Sequence, residues 1–208
     1  MLTSVRRLCG NLLKPNNTHS HLVSQRCLWG WLNSVFNRVD EDRIRTVGPD
    51  RACAEWLLRC GASVRWKNRE YWEKDYNSLP AGSFDKYKIE EIDASDSAIM
   101  AIGFPHLDNL MHVHKITLHN CGYLDDSALE YLPLVKNTLQ HLQLSSCGDI
   151  TDRGLVPLTE LKKLQTLVMF DLPEIQDKTN CVQIMKNALP SCDVKFLTTQ
   201  KKELSEED

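Results

Sequence analysis

Three segments in the second half of the chain and a weaker one just before it repeat one another, and that repetition constrains the fold more than any other feature. Val113-x-x-Ile116-x-Leu118-x-x-Cys121 is followed by Leu139-x-x-Leu142-x-Leu144-x-x-Cys147 and by Leu164-x-x-Leu167-x-Met169-x-x-Leu172. A weaker first copy is Ile89-x-x-Ile92-x-Ala94-x-x-Ser97. Ile92, Ile116, Leu142 and Leu167 follow one another at 24, 26 and 25 residues. Three copies continue downstream with an apolar residue and then an acid: Leu124 and Asp126, Ile150 and Asp152, Ile175 and Asp177. A unit this short cannot bury its own apolar face, so successive units must stack.

The period lies in the leucine-rich-repeat range of ~20–29 residues. The expected fold is therefore α/β: a short leucine-rich-repeat solenoid of about four repeats behind a mostly helical N-terminal capping domain. Alternation in Ile116-x-Leu118 reads as a short strand with both side chains inward. The cysteine positions turn the chain into the core, where a small thiol costs little to desolvate. Helices are expected over Ser127–Leu134, Arg153–Leu161 and Lys178–Leu189, outside a curved parallel sheet. The alternate strand residues then line the concave face. They are Glu91, Asp93 and Ser95 in the first repeat, and Lys115, Thr117 and His119 in the second. His141, Gln143 and Ser145 follow in the third, and Thr166, Val168 and Phe170 in the fourth. The last three repeats supply the candidate protein-binding residues.

Upstream, Asp40–Val47 is charged, and Gly48-Pro49 starts an amphipathic helix over Asp50–Cys60 that Gly61 can stop. Ala62–Trp66 reads as a strand. The aromatic stretch Glu70–Tyr76 is expected to bury its Trp and Tyr as a cap over the first repeat, which an open solenoid needs. The resulting divisions are 1–27 as a transit peptide, 28–86 as the capping domain, 87–197 as the repeats and 198–208 as a charged tail.

The transit reading rests on composition. Arg6, Arg7, Lys14, Arg26 and Arg38 precede any acid, the first being Asp40, in a chain that carries 28 Asp and Glu. A basic, hydroxylated, acid-free start is the mark of mitochondrial import. Lys14-Pro15-Asn16-Asn17 breaks any secretory apolar run, and Arg26 before Leu28 fits a processing site. A net charge of −3 gives no basic stripe for nucleic acid. No apolar run approaches the ~20 residues of a membrane span. The eight cysteines include no CxxC pair and read as reduced thiols. No Gly-rich phosphate loop and no nucleophile–base pair is evident, so no enzyme is expected. The acids Glu90-Glu91 and Asp125-Asp126 read as solvated loop residues. His112, His114 and His119 near Cys121 lack zinc-site spacing. Trp29 and Trp31 form either an association surface or part of the packing under the cap.

Several blocks resemble the family of mitochondrial ATP synthase subunit s, or coupling factor B. They are Trp29-Gly30-Trp31-Leu32-Asn33, Val47-Gly48-Pro49-Asp50-Arg51-Ala52, Glu55-Trp56-Leu57-Leu58-Arg59-Cys60-Gly61, Asp85-Lys86-Tyr87-Lys88-Ile89 and Ser146-Cys147-Gly148. The resemblance covers roughly Leu28 to Val194. It implies a soluble matrix protein, peripheral to the inner membrane at the ATP synthase membrane sector. That family is associated with coupling proton flow to ATP synthesis. The resemblance also implies a magnesium ion near the junction of the N-terminal domain and the repeats. The matching positions are Gly61 and, less closely, Ser95, which keeps a hydroxyl. A Cys-x-Cys pair of some relatives reads His119-Asn120-Cys121 here, which argues against a dithiol mechanism. A related leucine-rich-repeat family linked to assembly of the complex I membrane arm supplies the alternative. The repeats also resemble those of F-box-type adaptors, but no F-box precedes them.

Overall fold

Asp40 begins the first helix after the leading segment: its carboxylate accepts the Arg43 N–H, and helix α1 runs over Glu41–Val47. The computed structural model describes residues 30–82 and 84–197. Residues 30–32 belong to a leading unit and residues from Asn33 onward to a second one. The expected transit segment, Trp29 and the tail lie outside the described residues.

Gly48 ends α1 at φ 82° and hands over to α2, Pro49–Arg59, with Pro49 in the first turn. The sequence marks 40–47 only as charged. A capping aspartate followed by Glu41 and Asp42 in the first turn is the signal that was present. Helix α2 is less amphipathic than expected: every residue from Ala52 to Leu58 is buried, Glu55 included. Gly61, at φ 85°, follows its end and leads into strand β1.

Among the described residues one seven-stranded sheet runs in the order β2-β1-β3-β4-β5-β6-β7. The strands are β1 Ser63–Trp66, β2 Trp72–Glu73, β3 Ile89–Asp93, β4 Lys115–His119, β5 His141–Ser145, β6 Thr166–Phe170 and β7 Asp193–Leu197. β1 pairs antiparallel with both β2 and β3, and β3 to β7 are parallel. The molecule is therefore α/β with a mixed sheet, not the purely parallel one expected. The repeat spacing sets the register: Ile92, Ile116, Leu142, Leu167 and Val194 form one buried row. β7 escaped the sequence reading because Ser191 stands where the other copies carry an apolar residue.

The helical halves need correction. Only Lys178–Ala188 (α4) forms a full α-helix as expected. Asp126–Leu129 (α3) is a single turn, continued by a 3-10 segment at Leu132–Val135. Val156–Glu160 is 3-10 throughout, and the first repeat uses Ala101–Leu107 in the same way. Pro133, Pro157 and Pro105 explain this. Each lacks an amide donor and pushes the residue before it away from α geometry. α4 contains no proline.

Neighbouring repeats are also tied through their loops. Asp126 accepts the Thr151 N–H at 2.7 Å and its hydroxyl at 2.6 Å. One repeat further on, Asp152 accepts from Gln176 N at 2.9 Å and Asp177 N at 3.2 Å. Hydrogen bonds from the Gln176 amide, the Cys181 thiol and the Asp177 amide hold the Asp152 carboxyl down at about 2. Asp126 was therefore misread as a solvated acid, although its neighbour Asp125 is exposed. Gly154 makes room for it: a Cβ there would stand 2.1 Å from Asp126 Oδ1. Gly154→Ala is expected to cost about 1–3 kcal/mol by overpacking. Gly148→Ala, with open space around it, should stay within about 0.5 kcal/mol. Urea unfolding of the two variants checks the difference.

The aromatic cap is built differently from expectation. Tyr71 and Tyr76 are exposed and Trp72 is half-buried, whereas Trp56 and Trp66 are sealed in the core. Residues 71–78 form only a two-residue strand and a three-residue 3-10 turn, too little structure to cover a ring. Trp56 stacks on His106 at 5.2 Å and meets the Phe104 edge at 5.8 Å. Its indole lies so close to Gly103 that a Cβ there would fall 2.4 Å from it.

Candidate protein-binding face of the sheet

Strand alternation places the candidate residues in rows across the strands. One row is Glu91, Lys115, His141 and Thr166; the next is Asp93, Thr117, Gln143 and Val168; a third is His119, Ser145 and Phe170. β7 extends these rows with Asp193, Lys195 and Leu197, which sequence reasoning missed together with the strand. The face is largely polar and half-exposed, with Glu91 and Ser145 buried in it. Ser145 is fully buried, because its hydroxyl lies under His119 Nδ1 at 2.9 Å and Gln143 Nε2 at 3.1 Å. It holds those side chains in place and offers no surface. The Phe170 ring lies 6.1 Å from His119. Beyond the strands, Asp96, Asn120, Ser146 and Asp171 all take φ between 51° and 56°, and short polar residues tolerate that conformation. Their side chains pair along the rim, Asn120 with Asp96 at 2.6 Å and Ser146 with Asp171 at 2.8 Å.

The electrostatic centre of the face is Glu91, which the sequence reading took as solvated. It is 8% exposed and accepts a hydrogen bond from the Arg65 guanidinium on β1. His114 Nε2 lies 3.4 Å and Lys115 Nζ 3.9 Å from the carboxylate. Burial alone would raise its pKa; the Arg65 bond and the charges of Lys115, Arg65 and His114 outweigh this and leave it below the ordinary value of 4.5. The sequence reading weighs His114 only as a zinc ligand and does not single out Arg65, although Arg65 alternates with Val64 and Trp66 on a strand.

A depressed carboxylate stabilises the fold above its unfolded pKa, and that contribution is lost as pH falls through the folded value. Glu55 is also depressed, with burial again opposed by hydrogen bonds from Arg43 and Arg51. Stability is therefore expected to hold down to about pH 4.5 and to fall below it. Glu91→Gln should flatten that fall, as read by urea midpoints across the acid range.

The other expected sites are more scattered. Trp31 is exposed. Gly61 and Ser95 each lie two residues beyond the Ser63–Asp93 pair of β1 and β3. Ser95 Oγ donates to Asp93 Oδ1 at 2.6 Å, so a hydroxyl and a carboxylate oxygen meet at this strand end. Oxygen donors suit a hard cation in kind. His112 faces Lys67 Nζ at 3.3 Å, His119 faces Ser145, and the Cys121 thiol donates to the Ala94 carbonyl at 3.0 Å. The three thus point to different partners. Among the described residues no group of three or more His, Cys, Asp or Glu could hold a metal ion. Cys53, Cys60, Cys121, Cys147, Cys181 and Cys192 are free and buried. No helix among the described residues is long and apolar enough to cross a membrane.

No protein-family model matches the chain. It is 51% identical to ATP synthase subunit s, mitochondrial, of Homo sapiens over 194 residues, 92% of this chain and 94% of that protein. The chain belongs to this family. The Bos taurus subunit s is 48% identical over the same shares. Beyond subunit s, the match thins to 26% over 185 residues with Distal membrane arm assembly component 2 of Drosophila melanogaster, 81% of this chain and 63% of that protein.

Proposed function

We propose that the chain is a non-catalytic accessory factor of the mitochondrial ATP synthase that works by binding protein. In this reading its parallel strands form a leucine-rich-repeat solenoid behind the N-terminal helices. It lies peripherally on the matrix side of the inner membrane and serves the coupling of proton flow through the membrane sector to ATP synthesis. The observation that carries the proposal is the half-identical match to subunit s over nearly the whole chain. Support comes from the face itself, a polar surface of rows built on a rigid sheet. The residues assigned to docking are Lys115, Thr117, His119, His141, Gln143, Thr166, Val168 and Phe170, with Trp29 and Trp31 as a second contact.

Magnesium at Gly61 and Ser95 belongs to the same proposal, with water filling most of its shell. Added Mg²⁺ should raise the melting temperature of the chain, and Ser95→Ala should remove the rise; equal curves with and without the ion would discard the site.

Complexome profiling of native mitochondrial membranes tests the role. Co-migration with the mature ATP synthase supports it. Migration with incomplete complex I intermediates would replace it by an assembly role, the second reading, which the distant match to Distal membrane arm assembly component 2 favours.

A further inference from the structure

The sheet face is electrically lopsided, and the imbalance selects a partner. A depression of about 410 Å³ lies over the entry ends of the parallel strands, lined by Glu91, His114, Lys115, Thr117, His141 and Gln143 among others. Its single acid is already matched, because Glu91 holds the Arg65 guanidinium. Lys115 adds a second cation beside this one carboxylate, so one positive charge is in excess. Its side chain is 45% exposed, and its ammonium stands at the 3.9 Å limit of an ion pair with Glu91. His141 uses Nδ1 on the Thr166 hydroxyl at 2.8 Å, which leaves Nε2 for a ligand. The His114 ring stands 6.3 Å from it at a steep angle.

The exit ends of the same strands have the opposite character. Asp93, Asp96 and Asp171 stand there, and β3 to β6 place no lysine or arginine among them. Val168 lies beside the depression and Phe170 further along the same strand. A carboxylate approaching this face is repelled at one end and attracted at the other, with apolar contact next to the attractive end. The volume accepts one or two side chains and not a folded surface.

We infer that the depression receives a carboxylate side chain from an acidic, partly apolar segment of a partner protein, with Lys115 and His141 as its donors. This rests on the reading of the face as a docking surface. It adds the chemistry of what docks there.

Fluorescence anisotropy of the full-length chain with a short labelled peptide tests the inference. The peptide alternates Asp and Glu with Phe and Val, and its twin carries Asn and Gln instead. The acidic peptide should bind, and added salt should weaken it several-fold. Lys115→Glu should weaken it at least about tenfold, and His141→Ala several-fold. Lys178→Glu, on α4, should leave it unchanged. Both Lys115 and Lys178 are solvent-facing, and circular dichroism confirms that the variants fold. Equal binding of the Asn/Gln twin overturns the inference, as does indifference to Lys115→Glu. So does displacement by inorganic phosphate as readily as by unlabelled peptide, which would make the depression a small-anion site. The role at the ATP synthase is judged separately by co-migration. A chain that co-migrates but ignores the peptide keeps the role and loses this inference; the reverse pattern loses the role and keeps it.

Discussion

Asn37→Ala is expected to destabilise the protein by about 3–5 kcal/mol, because each buried polar group left without a partner costs roughly 1–3 kcal/mol. Asn37 is fully buried and its amide is saturated. Oδ1 accepts from the Trp56 indole at 3.0 Å and from Met100 N at 2.7 Å. Nδ2 donates to the Ala98 carbonyl at 2.9 Å and to the Asn33 carbonyl at 2.8 Å. Alanine would strand the buried indole and leave one amide and one carbonyl of the half-buried 98–100 segment without their partner. Equilibrium unfolding in urea measures the loss, and exchange of the Trp56 indole proton reports whether it is local. A loss below about 1 kcal/mol would mean that water replaces the amide at little cost.

Glu55→Ala should have an effect of similar size by a different route. The carboxylate is 4% exposed and lies between two guanidinium groups, Arg43 at 2.6 Å and Arg51 at 2.7 Å. It thereby fastens α1 to α2, while Arg51 also reaches the Pro80 carbonyl and covers the Phe84 ring. Removing one member of a buried pair leaves the others' charge uncompensated, which costs about 3–5 kcal/mol. Arg43→Ala should cost about 1 kcal/mol or less, since that side chain is 42% exposed. Equal costs for the two variants would show that packing, not charge, makes the junction. Thermal and urea unfolding distinguish these outcomes.

The repeats were legible because their physics is local. A row such as Ile116, Leu142 and Leu167 is written in the spacing, and the strands could be placed almost to the residue. Proline could have corrected the helical halves, since Pro133 and Pro157 stand inside the segments assigned to helices. The failures came where partners are far apart in sequence. Nothing near Asn37 reveals Trp56, and nothing near Glu91 reveals Arg65. Acids were read as solvated because a carboxylate's usual place is in water, and only the fold shows which ones meet a guanidinium or a loop amide. On the sheet face, alternation places the candidate side chains in rows across the strands but could not show that Ser145 is covered by its neighbours.

The parallel ladder also implies an order of assembly. β4, β5 and β6 each find a partner about one repeat away, so every pairing closes a loop of similar, modest length. Asn37 is different: its bonds to Ala98 and Met100 span 61 and 63 residues. They can close only after the first repeat exists. A chain emerging N-terminus first would therefore hold Asn37 unbonded until β3 and the turn after it have formed and would then latch, leaving the later rungs to add one at a time like a closing zip.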